Sequence, residues 1–213
     1  MTESKPISIR SAISSNHSIR KLFHKHTETG PTQAQIDLIR QSWMQVSHTR
    51  HPTDDQNISP AHAFGLAFYE ALFELCPEIE TLFHDIIQQA KALTGMISFI
   101  ARAPSLTKEK NTTIREMNSR KVEEEDPEWL AKQMRELGAR HYFYQIEPQH
   151  FDLVGPAFVS ALKQRLDKEY TEKMGDAWLK ATVYLAYHMS IGFESQQNSS
   201  KKERKSKPSC AIQ

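Results

Sequence analysis

The sequence predicts an all-α fold with disordered N- and C-terminal extensions. Three observations carry that expectation. Apolar residues recur at helical spacing along most of residues 32–194, and no segment sustains the alternation of a strand. Helix-start signals fall where those apolar faces begin, at Thr32, Ser59, Asp126 and Thr171. Both ends of the chain are polar and basic instead.

Taken in order, residues 1–30 are rich in Ser, Lys, Arg and His and read as a disordered basic extension. Thr32 and Gln35 form a capping-box pattern, and Ile36, Ile39, Trp43 and Val46 follow on one helical face. A polar stretch with two prolines, Ser47 to Pro60, ends that helix. Ser59-Pro60 then offers a cap with proline at the first helical position. Leu66, Tyr69, Leu72, Phe73 and Cys76 form the next face, and Pro77 opens a short helix to Phe83. A helix over about 85–103 places Ile86, Ala90, Leu93, Ile97 and Ile100 together. Residues 105–125 break the pattern with five basic and five acidic residues, and Asp126-Pro127 starts a helix reaching His141. Phe151, Val154, Phe158, Leu162 and Leu166 mark another helix. Thr171 caps the last, whose face is Met174, Trp178, Ala181, Leu185 and Met189. Residues 195–213 read as a basic tail.

The 213 residues are 38% hydrophobic and 25% charged, enough for one buried core with extensions. The net charge of +1 hides an asymmetry. Residues 1–26 and 201–213 each hold five Lys/Arg against one Glu, so each is +4 and the body is −7. Cys76 and Cys210 are too few and too far apart for a disulfide framework. No apolar run approaches the length of a membrane span, and no secretory signal is apparent, so a cytoplasmic location is expected. Nucleic acid is not among the expected partners.

Ten histidines are present, at 17, 24, 26, 48, 51, 62, 84, 141, 150 and 188. Spacing alone does not select a metal ligand among them. His24/His26 and His48/His51 sit in polar segments and make weak metal motifs.

A resemblance does select one. Phe68-Tyr-Glu-Ala-Leu-Phe-Glu-Leu-Cys-Pro-Glu-Ile-Glu-Thr-Leu-Phe83 resembles the B and C helices of globins. Leu137-Gly-Ala-Arg-His141 resembles the globin F helix, and Gln145-Ile-Glu-Pro-Gln-His-Phe-Asp-Leu-Val-Gly155 resembles the start of the G helix in flavohaemoglobins. Ala177-Trp178 matches a pair found in many globins, and Ile39-Arg-Gln-Ser-Trp43 resembles the A helix of the neuroglobin and globin-X-like branch. Gly65 and Ala90 supply the small residues that close crossing of the B and E helices requires. The match spans residues 32–194, an expected domain of 31–194 with an insertion at 105–125 about twenty residues longer than globins usually carry.

The resemblance implies a three-over-three helical sandwich holding haem b (iron protoporphyrin IX). His141 would be the iron ligand, with its second ring nitrogen donating to a backbone carbonyl. Phe83 would stack on the porphyrin, while Leu137, Ile146 and Val154 would line the proximal side. Tyr69 and Gln89 match the two ligand-facing distal positions, and Leu93 would restrict access. An O–H and an amide N–H in a dry pocket would stabilise dioxygen, nitric oxide or CO. Glutamine replaces the histidine usual in neuroglobins, which implies an open or water-bound sixth site. Phe151 replaces the proximal tyrosine of flavohaemoglobins and the chain carries no flavin domain, so nitric oxide dioxygenation would be a side activity needing an external reductase. A haem-based sensor is the alternative.

The chain ends Cys210-Ala-Ile-Gln213, a C-a-a-X box whose final Gln usually directs farnesylation of Cys210. One lipid chain binds membranes marginally, and the basic residues between Lys201 and Lys207 offer the second signal, about 1 kcal/mol each beside an anionic inner leaflet. Thr2 after Met1 excludes N-myristoylation.

Overall fold

A computed structural model describes residues 30–102 and 127–206. The expected basic extension, the 105–125 insertion, the Asp126 cap and Cys210 lie outside the described residues. Six α-helices follow in order: α1 Gln33–His48, α2 Pro60–Leu75, α3 Ile86–Arg102, α4 Pro127–His141, α5 Val154–Leu166 and α6 Glu172–Ser206. Short 3-10 helices at Pro77–Leu82, Tyr142–Tyr144, Pro148–Leu153 and Asp167–Glu169 make the corners. No strand occurs among the described residues.

The helix starts follow local chemistry. Thr32 Oγ1 accepts from Gln35 N at 3.3 Å while Thr32 N donates to the Gln35 side chain at 2.9 Å, so two orphan donors of the first turn are met at once. Ser59 accepts from His62 N at 3.1 Å with Pro60 in the first turn. Thr171 accepts from Met174 N at 3.3 Å.

α1, α3 and α4 lie over α2, α5 and α6, and α2 packs on both α3 and α5 while α6 packs on α1, α4 and α5. The core is aromatic. Phe158 stacks on Trp178 with ring centroids 4.6 Å apart, and Phe64 lies between Phe158 at 5.1 Å and Trp43 at 5.4 Å. Both buried indoles are satisfied, Trp178 donating to Ser42 at 2.8 Å and Trp43 to Ser98 at 3.2 Å. A Cβ on Gly65 would stand 2.8 Å from the Ala90 carbonyl, so the small residues do set the α2–α3 crossing.

Two features depart from the sequence reading. The last helix does not stop at a polar tail from 195; it continues to Ser206. No Gly or Pro falls between Gly192 and Pro208, and Gln, Lys, Arg and Glu are good helix formers there. Side-chain bonds one turn apart, such as Lys201 to Gln197 at 3.1 Å, support it. The polar stretch after α1 is also anchored. Arg165 of α5 grips Asp54 with two bonds of 2.6 and 2.8 Å, and His51 reaches the Arg165 carbonyl at 2.8 Å. Both charged side chains are buried.

Candidate functional site

His141 is the last residue of α4, and its Nδ1 lies 2.8 Å from the Leu137 carbonyl, one turn back. A carbonyl can only accept, so Nδ1 carries the proton and Nε2 presents the lone pair. Burial pushes the His141 pKa below the ordinary histidine value, the bond to Leu137 partly opposes this, and Arg140 lowers it further. The imidazole is therefore neutral, pre-oriented by its own helix, and nucleophilic at one nitrogen. That is the state a metal ion requires of histidine.

Aromatic rings fix it laterally. Phe151 lies 6.0 Å from the His141 ring and Tyr144 5.5 Å, and Phe193 of α6 backs Phe151 at 6.0 Å. The phenyl at 151 thus occupies the place beside His141 that the resemblance implied, without a hydroxyl.

α4 is held against α6 by glycine. A Cβ on Gly138 would fall 1.9 Å from the Met189 carbonyl, and one on Gly192 would fall 1.8 Å from the Arg135 carbonyl. Backbone meets backbone at both points, three residues and six residues before His141. The register of α4 on α6 therefore sets where the imidazole sits. α4 packs chiefly on α6. The apolar side chains expected to line a haem site are neither core nor surface: Phe83, Leu93, Leu137, Ile146 and Val154 are all half-buried. Ile146 follows Gln145, whose positive φ of 60° turns the chain after α4.

Across the fold, Tyr69 of α2 is buried, with Phe83 at 5.2 Å, Phe68 at 5.1 Å and Phe73 at 6.0 Å. Its hydroxyl makes no hydrogen bond among the described residues. Burial pushes its pKa up to about 12, so it stays a protonated donor. Phe83 also meets Phe73 at 5.4 Å. The structure thus brings Tyr69 and Phe83 together as one aromatic group.

Gln89 is not part of that group. It is exposed on the first turn of α3, held by its backbone N to Asp85 O at 3.0 Å, and its side-chain amide has no partner among the described residues. Leu93, one turn on, is half-buried and faces inward with buried Ala90 and Ile97. His84 is exposed, as its place just after Phe83 suggests. Sequence reasoning passed over Phe193, Tyr144, Gly138 and Gly192. Phe193 had a signal, since it continues the Leu185, Met189 face by one more turn. The glycines had none, because a glycine in a helix is read only as a weak point.

A flat apolar macrocycle with a central metal fits this donor set: one oriented neutral imidazole, a set of half-buried apolar side chains, and the hydroxyl of buried Tyr69, which has no hydrogen-bond partner among the described residues. The Globin family model matches residues 66–189, which hold His141, Tyr69 and every apolar residue expected to line the haem site. The chain belongs to the globin family. It is similar to a neuroglobin of Tetraodon nigroviridis, 24% identical over 157 residues, covering 74% of this chain and 89% of the relative. It is likewise similar to an anaerobic nitrite reductase of Casuarina glauca, 25% identical over 150 residues, covering 70% and 89%. A flavohemoprotein of Xylella fastidiosa is 30% identical over 124 residues, 56% of this chain, which spans only 26% of that longer protein. The chain is accordingly a haem globin of the kind that binds gases.

Proposed function

We propose that this globin binds dioxygen, nitric oxide and CO at haem b held by His141, works in oxygen or nitric oxide scavenging or redox protection, and is tethered to a membrane through Cys210. The observation that carries the ligand-binding part is the His141 geometry: Nδ1–H engaged by Leu137 and Nε2 left as the lone donor. Leu137, Ile146 and Val154 would line the haem site on the proximal side, Phe83 would stack on the porphyrin, and Leu93 would restrict access. When bound, haem supplies the iron at which diatomic ligands are held. The rest belongs to the chain. The Tyr69 O–H donates to a ligand bearing partial negative charge, in surroundings that exclude water and so strengthen the bond. Gln89 is exposed on α3, and its amide would complete a donor pair on closing over a ligand. Phe151 gives His141 no hydrogen bond, so the imidazole donates less charge than one paired with a phenolate-like partner. Nitric oxide dioxygenation is then a secondary activity that depends on an external reductase.

The test is kinetic. Purified holoprotein should release dioxygen slowly and consume nitric oxide quickly, and Tyr69→Phe should raise the dioxygen off-rate about tenfold, the equivalent of one hydrogen bond of about 1.4 kcal/mol. An unchanged off-rate contradicts the distal assignment.

One observation favours a second reading, a haem-based sensor signalling to a membrane partner. α6 runs unbroken from its backbone contacts with α4, at Met189 and Gly192, to the basic residues Lys201 and Lys202. A shift of the His141 helix would be carried along one rigid rod toward the tail. A membrane affinity that changes with CO binding supports this reading; an affinity that ignores the ligand leaves the scavenger.

A further inference from the structure

α6 carries most of the basic run that precedes Cys210. Lys201, Lys202, Arg204 and Lys205 all lie in its last two turns, and Ser206 is its final residue. At about 100° per residue, the four basic positions fall within an arc of about 160°. Gly192 and Phe193, buried where α6 packs on the body, fall outside that arc. Lys201 and Lys202 are exposed. The end of α6 therefore has one cationic side, distinct from its packed side. Position 206 borders that side, one turn beyond Lys202.

Serines recur along this stretch, at 195, 199, 200, 206 and 209, but the positions are not equivalent. Ser199 donates to the Ser195 carbonyl at 3.1 Å and Ser200 accepts from Gln196 at 3.4 Å, both inside continuous helix. Presenting either hydroxyl to an enzyme means unwinding α6 on both sides of it. Ser206 stands at the helix end, where the final carbonyls lack helical partners and the chain unwinds most readily. Its surroundings also differ. Lys202, Arg204 and Lys205 precede it and Lys207 follows, whereas no basic residue falls in the five positions before Ser195, Ser199 or Ser200. A serine set among cations is complementary to an acidic substrate groove, and charge pattern is one means by which kinases choose substrates.

We propose that Ser206 is a phosphorylation site whose modification lowers the affinity of the basic end of α6 for an anionic membrane. This rests on the tether proposed above. The enzyme is a serine kinase that selects basic surroundings, and its co-substrate is a nucleoside triphosphate. Ser206 Oγ forms the new O–P bond and the γ-phosphorus separates from the β,γ-bridging oxygen. The diphosphate leaves with that electron pair, and the hydroxyl proton passes to a base of the kinase. The phosphate brings a charge of about −1.5 to −2, so residues 201–213 fall from +4 to about +2. A chain with one lipid depends on its second signal, so each charge counts. Losing two charges beside an anionic leaflet weakens partitioning about thirtyfold. The phosphate also faces the unpaired carbonyls at the C-terminal end of α6, an unfavourable pairing that favours unwinding of the last turn. No group near His141 changes, so the modification moves the globin without altering its site.

The test uses the full-length chain, farnesylated in vitro, before and after treatment with a basophilic serine kinase and Mg-ATP. Mass-spectrometric site mapping should place the phosphate on Ser206, and Ser206→Ala should not take it up there. Sedimentation with mixed phosphatidylcholine and phosphatidylserine vesicles should show partitioning fall about thirtyfold on phosphorylation, with no fall in Ser206→Ala and little on phosphatidylcholine alone. Phosphate found on Ser209 or elsewhere instead of Ser206 overturns the proposal. So does equal partitioning of the phosphorylated and unmodified chains. The unfarnesylated chain on phosphatidylserine vesicles separates this question from the tether. A fall on phosphorylation there supports the Ser206 switch even if Cys210→Ser shows that the lipid contributes nothing, and the absence of a fall overturns it.

Discussion

At His141 the decisive quantity is which nitrogen is free. Leu137 fixes Nδ1 as the protonated one, and burial keeps the ring neutral. A histidine whose folded pKa is lowered contributes stability above its unfolded value of about 6.5 and loses it as pH falls, because the unfolded chain then binds the extra proton. Acid should therefore favour release of haem, followed by the loss of haem absorbance as pH is lowered. Tyr69 behaves oppositely. Its pKa is raised to about 12, so its contribution is intact below pH 10 and is lost as pH rises through 12. An ultraviolet difference titration of wild type against Tyr69→Phe should show no phenolate from this residue at pH 10. Asp54 supplies a third case. The hydrogen bond from Arg165 chiefly holds its pKa at about 2, against 3.8, although burial works the other way. That is about 2 kcal/mol of stability, full above pH 4 and lost as pH falls toward 2. Urea unfolding should find Asp54→Asn weakened by about that amount at pH 7, with the gap closing in acid. Much of this residue scale was legible beforehand. His141, Tyr69 and Phe83 came from family-like motifs, and the bond from His141 to a backbone carbonyl follows from how metal-bound histidines are held. The Asp54–Arg165 pair was not legible, because its partners are 111 residues apart and nothing local joins them.

Helices were legible where their ends carry their own chemistry. The capping box at Thr32 and the cap-plus-proline at Ser59 formed as read. The length of α6 was misjudged because polar residues were read as a basic tail, whereas helix propensity without a breaker extends a helix already nucleated by packing. The most consequential element-level fact is the glycine contact between α4 and α6. Gly138→Ala or Gly192→Ala would drive a methyl into a facing carbonyl and push the helices apart. Each should cost about 1–3 kcal/mol in denaturant unfolding. Each should also weaken haem retention, since α4 carries His141. An alanine at Gly95 is the control: a Cβ there meets nothing within 4 Å, so Gly95→Ala should leave both properties unchanged.

For the whole molecule, the acidic body between basic ends is a statement about surfaces. No helix among the described residues is long and apolar enough to cross a membrane. The proposed tether rests instead on Cys210 and the basic residues before it. Cys210→Ser should abolish membrane partitioning in cells with prenylation intact, and replacing Lys201, Lys202 and Lys205 with Gln should weaken it in a salt-dependent way. Unchanged partitioning in Cys210→Ser would remove the tether from the account. The three-over-three arrangement itself was legible because several family-like motifs imply it, and five apolar faces and the Gly65–Ala90 contact agree with it. The exposed position of Gln89 was not, since spacing places a residue on a face but does not say how far that face is covered.

The account stands on His141 as the protein ligand to haem iron. Absorbance spectra of wild type and His141→Ala, reconstituted with haem and recorded in ferric, ferrous and CO-bound states, address it most directly. Wild type should retain haem and give a ferrous form that is five-coordinate, shifting on CO addition to a histidine–CO spectrum. His141→Ala should lose haem on gel filtration or regain it only with added imidazole. A wild type without haem bands, or a His141→Ala spectrum identical to wild type, would contradict it.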